Sequence, residues 1–135
     1  MNDSGSKSLP WLLTWTVLFG GVLLPPPASA QPFVLEFPVP TGNPGLEVIT
    51  AGPDGNLWFA EQFSDKIGRI TPAGVVTEFP VSMGSFLPYG IAAGPDGNLW
   101  FTLAISSEIG QITPAGVVDA FPTPTTNSQP QGITA

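Results

Sequence analysis

Between residues 31 and 135, apolar residues occur in short runs that proline- and glycine-containing turns separate. The run LEVITA (46–51) is followed by GPDGN, in which Pro53 fixes φ for the first turn position and Gly55 can adopt a positive φ. The next run, LWFAE (57–61), is apolar at consecutive positions, as expected of a strand covered on both faces. No window has an apolar stripe at helical spacing. The pattern predicts short β-strands joined in hairpins.

Two more strands follow in the same stretch. After a polar loop (62–66), IGRI (67–70) is separated from VVTEFPV (75–81) by TPAG, a second proline–glycine turn. Pro80 lies inside the last of these strands and favours an edge position, because proline has no N–H to donate. The sequence therefore predicts four-stranded antiparallel units in which the last strand is outermost.

The strand pattern recurs with a fixed period. AGPDGNLWF begins at residue 51 and again at residue 93, and 93 − 51 = 42. EFPVP, EFPVS and AFPTP keep the same spacing. A period of roughly 40–45 residues with several short strands per unit is typical of β-propeller blades. We predict an all-β fold of two full four-stranded blades, residues 36–77 and 78–119, and the start of a third, residues 120–135.

Two blades leave two apolar faces without a neighbour, because propeller blades pack face to face and typically number about 4–8. We therefore interpret residues 31–135 as the N-terminal fragment of a longer propeller, whose remaining blades are the partners of these faces. Self-assembly of the chain into a closed ring is the alternative. Trp58 and Trp100 recur at one position of the repeat and are predicted to fill the space between blades, with ligand binding as the alternative.

The first 30 residues differ from the rest. Lys7 precedes an apolar run (9–24), and the small residues ASA (28–30) follow three prolines. This order is typical of a secretory signal peptide, and the run is short for a bilayer span of roughly 20 residues. We expect residues 1–30 to be a signal peptide, the remainder to be secreted or periplasmic, and no membrane association after cleavage. An uncleaved membrane anchor is the alternative.

The composition narrows the classes of function. The net charge is −7, and Lys7, Lys66 and Arg69 are the only basic residues, so a nucleic acid is not expected as a partner. The sequence has no His and no Cys, which removes the commonest general base, thiol nucleophiles and the commonest transition-metal ligands. We expect no catalytic residue, no metal site and no cofactor in this chain.

Three candidate binding residues share one position of the repeat. Glu47, Tyr89 and Gln131 are equivalent, because 89 − 47 = 131 − 89 = 42, and they differ while their neighbours are nearly constant. This position lies just before or within the start of the innermost strand, at a rim where propeller loops form binding faces. We predict that the three side chains contact a small-molecule or peptide ligand. The alternative is variation in an exposed loop that binds nothing.

Glu61 is the fourth candidate binding residue. It ends the second strand of the first unit, where partial burial would raise its pKa, and together with Asp65 it could hold a divalent cation. The alternative is a solvated carboxylate paired with Lys66. Asp54 and Asp96 lie in the PDG turns, where an Asx turn accounts for them.

With a 42-residue spacing, the segments AGPDGNLWF, KIGRITPAGVVTEFPV and GIAAGPDGNLWF resemble the streptogramin B lyase family (virginiamycin B lyase-like proteins) over residues 33–135. The resemblance implies a seven-bladed propeller. For the enzymes of the family it also implies a magnesium-dependent elimination that opens the lactone of a cyclic depsipeptide antibiotic. The catalytic His and acidic residues of those enzymes lie in later blades, and none is carried over to this sequence, which has no His.

Two functions follow from these expectations. The first is an exported β-propeller protein that acts as a binding or scaffold module and is not catalytic by itself. The alternative is the N-terminal part of a carbon–oxygen lyase that linearises streptogramin B lactone antibiotics and so contributes to antibiotic resistance. In that case, the resemblance implies that Mg²⁺ is bound in the complete propeller.

Overall fold

A computed structural model describes residues 34–81 and 87–135. The chain divides into two compact units, Met1–Val34 and Leu35–Ala135, and the second contains all the strands given below. The predicted signal peptide, residues 1–30, lies outside the described residues. In the described ranges, no helix is long and apolar enough to cross a membrane.

The described residues form two four-stranded antiparallel sheets, each in the order of the sequence. We call the first sheet blade 1; its strands are β1 (Leu46–Ala51), β2 (Leu57–Glu61), β3 (Lys66–Ile70) and β4 (Val76–Pro80). The second sheet, blade 2, has β5 (Pro88–Ala93), β6 (Leu99–Leu103), β7 (Glu108–Ile112) and β8 (Val118–Pro122). The predicted β-propeller blades are therefore confirmed.

One local feature differs from the sequence-based prediction. The loop after β2 contains a short 3₁₀ helix, Gln62–Ser64, which no apolar periodicity in the sequence predicts. Asp65 ends it in the left-handed region, with φ of 51°. This conformation turns the chain back so that β3 can pair with β2, in the register Glu61 opposite Lys66.

The hairpin turns follow the predicted chemistry. In the PDG turn of blade 1, Gly55 has φ of 78°, and its N–H donates to the carbonyl of Gly52 at 3.2 Å. In the TPAG turn, Gly74 has φ of 83°, and its N–H donates to the carbonyl of Thr71 at 2.8 Å. Positive φ is costly for residues with a Cβ, so these glycines fix where each strand pair reverses.

The core lies between the two blades. β5 packs against both β1 and β2, and side chains from both sheets form one buried cluster. Trp58 is fully buried in this cluster with Leu99, Phe101 and Ile112 of blade 2. The prediction that Trp58 fills the space between blades is confirmed, whereas Trp100 stays partly exposed.

Candidate functional site

We call one edge of the two sheets the rim. In blade 1, the start of β1 lies opposite the end of β2, because Leu46 pairs with Glu61, and the start of β3 lies opposite the end of β4, because Lys66 pairs with Pro80. Blade 2 repeats this arrangement at the same edge of its own sheet. The PDG and TPAG turns lie at the opposite edge.

The structure places the equivalent candidates Glu47, Tyr89 and Gln131 on successive inner segments at the rim. Glu47 is an exposed residue of β1, and Tyr89 is a partly buried residue of β5. Gln131 is exposed and lies in the C-terminal segment, whose carbonyl approaches Gly90 of β5. Since β1 packs against β5, the three positions follow one another along the inner side of the rim. Their role in ligand binding stays a prediction.

A β-bulge sets the direction of two of these side chains. Between its paired residues, β1 uses Glu47 and Val48 where β2 uses Ala60 alone. β5 has the same irregularity at Tyr89 and Gly90. An extra residue of this kind bends the strand and re-aims a side chain, and bulges are over-represented beside binding and active sites. The sequence signal for it was Gly90, since an isolated glycine in a strand indicates a bulge.

Thr102 holds this region together, and sequence reasoning missed it. Its Oγ1 accepts the N–H of Gly90 at 2.9 Å and donates to the carbonyl of Gln131 at 2.9 Å. The side chain is buried, so the bond from Gly90 is shielded from water, whereas the bond to Gln131 is partly buried. Blade 1 has Ala60 at the equivalent position. This difference between an apolar side chain and a hydroxyl is the sequence feature that could have identified Thr102.

Glu61 is fully buried at the end of β2. Its Oε2 accepts the hydroxyl of Ser64 at 2.8 Å, while its Oε1 has no hydrogen-bond partner among the described residues. Burial raises the pKa of Glu61 above its ordinary value of 4.5, and the bond from Ser64 only partly offsets this. The expected desolvation is present, but a binding role for Glu61 is untested and stays a prediction.

The alternative interpretation of Glu61, a solvated carboxylate paired with Lys66, is wrong. The Lys66 Nζ instead contacts Glu78 Oε2 at 2.6 Å and Thr41 Oγ1 at 2.5 Å. Thr41 also donates its N–H to Glu78 Oε1 at 2.8 Å. Burial raises the pKa of Glu78, but these hydrogen bonds outweigh it, and the pKa lies below its ordinary value. The Lys66 and Glu78 side chains both keep some exposure, at 28% and 13%, whereas Glu61 is fully buried.

The opposite edge carries a second repeated polar arrangement. Asp54 accepts the N–H of Asn56 at 3.2 Å, which confirms the predicted Asx turn. It also accepts the indole N–H of Trp58 at 2.9 Å, an interaction that the sequence reasoning missed. Asp96 and Trp100 repeat the contact in blade 2 at 3.2 Å. The aspartate of the turn therefore fixes the tryptophan of the following strand.

The comparisons with known proteins agree with this architecture. The model of the virginiamycin B lyase family matches residues 29–135. The chain belongs to the virginiamycin B lyase family. None of the curated proteins compared with it matches.

Solved structures of this family resemble the chain closely. A streptogramin B lyase structure is 36% identical with a TM-score of 0.72, covering 74% of this chain and 34% of its own. A catalytically inactive virginiamycin B lyase variant from Staphylococcus aureus, solved with quinupristin, is 38% identical with a TM-score of 0.70, covering 71% of this chain and 33% of its own. The chain thus spans about a third of the length of these lyases. Hydrazine synthase from Kuenenia stuttgartiensis, at 24% identity and a TM-score of 0.57, shares the fold.

The magnesium ion expected for virginiamycin B lyases can be tested against the acidic residues of the rim. Asp65, the second proposed ligand, accepts the N–H of Leu87 at 2.9 Å with its Oδ1, and Glu61 is closed off from solvent. In residues 34–81 and 87–135, no group of three or more His, Cys, Asp or Glu side chains could hold a metal ion. Because Mg²⁺ requires several oxygen ligands in near-octahedral geometry, this donor set does not fit the ion.

Proposed function

We propose that this chain is an exported β-propeller module that binds a small-molecule or peptide ligand at its rim and does not catalyse a reaction by itself. The observation that carries the proposal is the bulged position at the start of each inner strand, where one backbone geometry presents different side chains, Glu47 and Tyr89. A rigid frame with a variable contact residue is the arrangement expected of a binding face.

Tyr89 is the residue expected to contribute most to binding. Aromatic side chains provide a large contact area and a hydroxyl at low conformational cost, and they dominate binding energies at many interfaces. Tyr89 is partly buried, so its ring is held in place while one side remains accessible. Glu47 adds a negative charge at the equivalent position of blade 1, in a chain of net charge −7, which favours ligands with a cationic or hydrogen-bond-donating group.

The non-catalytic part of the proposal rests on chemistry that the sequence lacks. The chain has no His to act as a general base. Its buried carboxylate, Glu61, has no access to a substrate because the side chain is 0% exposed. A chain that has a rim for binding, no His, and a buried carboxylate that a substrate cannot reach is expected to hold a ligand unchanged.

The test uses quinupristin as the probe, because that compound is present with the neighbouring lyase variant. Calorimetry of the full chain is expected to detect binding, and chromatography with Mg²⁺ present is expected to detect no opening of the lactone. Tyr89→Ala should weaken binding by about 10-fold or more. Val75→Ala is the control, because Val75 lies beside the TPAG turn at the opposite edge and is 59% exposed, and it should leave binding unchanged.

The outcomes of this test separate the functions. Binding without turnover supports the module if Tyr89→Ala weakens that binding and Val75→Ala does not. Lactone opening would overturn the non-catalytic proposal in favour of a lyase. The absence of both binding and turnover would remove streptogramin B compounds as ligands of the rim.

The second candidate function is the N-terminal part of a magnesium-dependent carbon–oxygen lyase that linearises streptogramin B lactones. The identity of 36–38% to solved lyases favours it. Because the described acidic residues do not fit Mg²⁺, further blades would have to supply the ion's ligands and the general base. A longer reading frame that encodes such blades, with lactone opening by its product, would support this candidate.

Export is a separate part of the proposal and has its own test. Residues 1–30 have the composition of a signal peptide. When the chain is expressed in a bacterium, we expect it in the periplasm or medium, with a mass that corresponds to a start at Gln31. A chain that keeps residues 1–30 and fractionates with membranes would favour the anchor instead.

A further inference from the structure

The segment that carries Tyr89 begins in an unusual backbone conformation. Leu87 has φ of 47°, in the left-handed region, which is costly for a residue with a branched side chain. Pro88 follows it, and a residue before proline normally favours an extended conformation. The equivalent residue of blade 1 is Gly45, which has φ of 62° without this cost. The direction in which the chain enters β5 therefore has to be held by other contacts.

Asp65 holds the first end of this segment. Its Oδ1 accepts the N–H of Leu87 at 2.9 Å, and its main-chain carbonyl accepts the N–H of Val81 at 2.9 Å. Asp65 thus fixes the residue after β4 and the residue before β5. In blade 2, the main-chain carbonyl of Ser107 accepts the N–H of Thr123 in the same way, at 3.0 Å. Serine has no carboxylate, so blade 2 repeats the main-chain bond with a different side chain.

Thr102 holds the other end of the segment. Its Oγ1 accepts the N–H of Gly90 at 2.9 Å and donates to the carbonyl of Gln131 at 2.9 Å. A Cβ at Gly90 would clash with the same carbonyl, so a glycine is required where these two segments meet. Ala60 stands at the position of Thr102 in blade 1 and has no hydroxyl. The hydroxyl that fixes this point of the inner strand is therefore a feature of blade 2.

Tyr89 lies between the two fixed ends. Pro88 before it is fully buried, and Tyr89 and Gly90 form the bulge opposite Thr102. The residues on both sides of Tyr89 are thus fixed, while Tyr89 itself is only partly buried. Because a bulge re-aims a side chain, the two hydrogen bonds and the buried proline together determine where the tyrosine ring points.

We propose that Asp65 and Thr102 are positioning residues that hold the Tyr89 ring in the direction in which it contacts a ligand. They act through the backbone N–H groups of Leu87 and Gly90 and do not touch the ligand themselves. Loss of either acceptor lets this backbone relax, so the ring is correctly placed in a smaller fraction of the molecules, and the apparent affinity falls by that fraction. The inference rests on the proposed function, in which Tyr89 contacts the ligand, but the hold on the ring requires no ligand.

Two pairs of variants separate these hydrogen bonds from other effects. Asp65→Gly removes the acceptor and tolerates the left-handed conformation, in which Asp65 has φ of 51°, whereas Asp65→Asn keeps both. Thr102→Val removes the hydroxyl at nearly constant shape, whereas Thr102→Ser keeps it. Thr113→Val is the matched control, because the Thr113 hydroxyl also accepts a backbone N–H, that of Val117 at 3.1 Å, but in the TPAG turn at the opposite edge.

The first measurement uses no ligand. Tyr89 is the single tyrosine of the chain, so NMR with isotope-labelled tyrosine reports on this ring alone. Asp65→Gly and Thr102→Val should each shift, broaden or split its signals, because the ring samples several directions. Asp65→Asn, Thr102→Ser and Thr113→Val should leave the signals as they are. Circular dichroism checks that each variant is folded, and Thr102→Ala, which copies Ala60, replaces Thr102→Val if that variant is not.

The second measurement is calorimetry of the same variants with quinupristin. Asp65→Gly and Thr102→Val should each raise the dissociation constant by about 5-fold or more, the size expected for the loss of one hydrogen bond that keeps the ring in place. Asp65→Asn, Thr102→Ser and Thr113→Val should bind like the unchanged chain.

Leu87→Gly tests why Asp65 is needed. Glycine adopts a positive φ without the cost that leucine has, as Gly45 does in blade 1. In a chain that already carries Leu87→Gly, the further change Asp65→Gly should therefore alter the Tyr89 signals less than it does in the unchanged chain. An equal or larger effect would overturn the proposed action of Asp65 through Leu87.

The outcomes distinguish this inference from the proposed function. Tyr89 signals that stay constant in both Asp65→Gly and Thr102→Val, or that change as much in Thr113→Val, would overturn the inference whether or not a ligand binds. Signals that change while quinupristin binding stays constant would overturn the role in binding. If the unchanged chain does not bind quinupristin, the proposed function fails for that ligand, and the NMR result alone decides whether the two residues hold the Tyr89 ring.

Discussion

At the residue scale, the two blades differ most clearly around Glu61. Ser64 donates to Glu61, and its equivalent in blade 2 is Ser106, whose Oγ is buried and has no hydrogen-bond partner in the described part of the chain. The reason is that Leu103 stands where blade 1 has Glu61, so the hydroxyl has lost its acceptor. Within residues 34–81 and 87–135, one buried oxygen of Glu61 likewise has no hydrogen-bond partner. Both groups reduce stability, because a buried polar atom without a partner costs about 1–3 kcal/mol.

The burial of Glu61 predicts a pH dependence. A carboxyl whose pKa is raised in the folded state is favourable in its protonated form below the unfolded pKa, and that stability is lost as the pH rises through the folded pKa. Glu61→Gln cannot ionise, so at pH 7 we expect a free energy of unfolding that is higher by about 1–3 kcal/mol, and below pH 4.5 we expect no difference. Urea unfolding of both proteins at both pH values measures this difference in the free energy of unfolding.

Glu36→Gln is the control for this experiment. Glu36 is exposed and should leave the free energy of unfolding unchanged within about 0.5 kcal/mol at either pH. If Glu61→Gln lowered stability at pH 7, the charged carboxylate would have to be stabilised by an interaction other than those described above.

At the scale of the strands, each blade depends on a glycine in its third strand. A Cβ at Gly68 would lie 2.1 Å from the Phe59 ring, and one at Gly110 would lie 2.2 Å from the Phe101 ring. The phenyl ring of the second strand therefore lies directly over the glycine of the neighbouring strand. Because Phe59 and Phe101 are both buried, neither ring can move aside without opening the sheet's packed face.

Substitution of these glycines tests the packing. Gly68→Ala and Gly110→Ala should each lower the free energy of unfolding by about 1–3 kcal/mol or more, because the added methyl overlaps a fixed ring. Gly42→Ala is the matched control, since nothing lies within 4 Å of its Cβ position, and it should be nearly neutral. Denaturant midpoints report all three. A neutral Gly68→Ala would mean that the Phe59 ring has room to shift.

At the scale of the whole molecule, residues of both blades form one buried apolar cluster. Trp58 lies at its centre, held by a hydrogen bond from its indole to Asp54 and by the stacked ring of Phe79. Trp100 makes the equivalent contacts within blade 2 but has no described blade against its face. The two tryptophans therefore have the same partners within their own blades but differ in whether another blade covers them. Comparing them separates the stability that comes from within a blade from the stability that comes from the contact between blades.

This pair of tryptophans gives a prediction for the dilute, monomeric chain. Trp58→Ala should cost about 3–5 kcal/mol of unfolding free energy, as expected for a large buried aromatic. Trp100→Ala should cost clearly less, because its ring is partly exposed. Thermal or denaturant unfolding at low protein concentration compares them. Equal costs would show that the contact between blades contributes little and that each sheet is stabilised from within.

At the rim, the sequence predicted some features of the candidate site and not others. The repeat aligned Glu47, Tyr89 and Gln131 and placed Glu61 at the same edge, because antiparallel pairing fixes which strand ends meet. The repeat did not predict the salt bridge between Lys66 and Glu78, nor the hydrogen bonds by which Thr102 links Gly90 to Gln131. Those contacts depend on side-chain directions across neighbouring strands and on a segment 29 residues away in sequence.

The sequence by itself determined the strands, their turns and the blade architecture, because proline, glycine and apolar runs act locally and the 42-residue period repeats them in register. Only the tertiary structure decided which equivalent residues are buried, since Trp58 and Trp100 have the same neighbours in sequence and different ones in space. It also decided the bulge and the burial of Glu61. Desolvation and packing depend on the atoms that the fold brings close, and no local pattern encodes them.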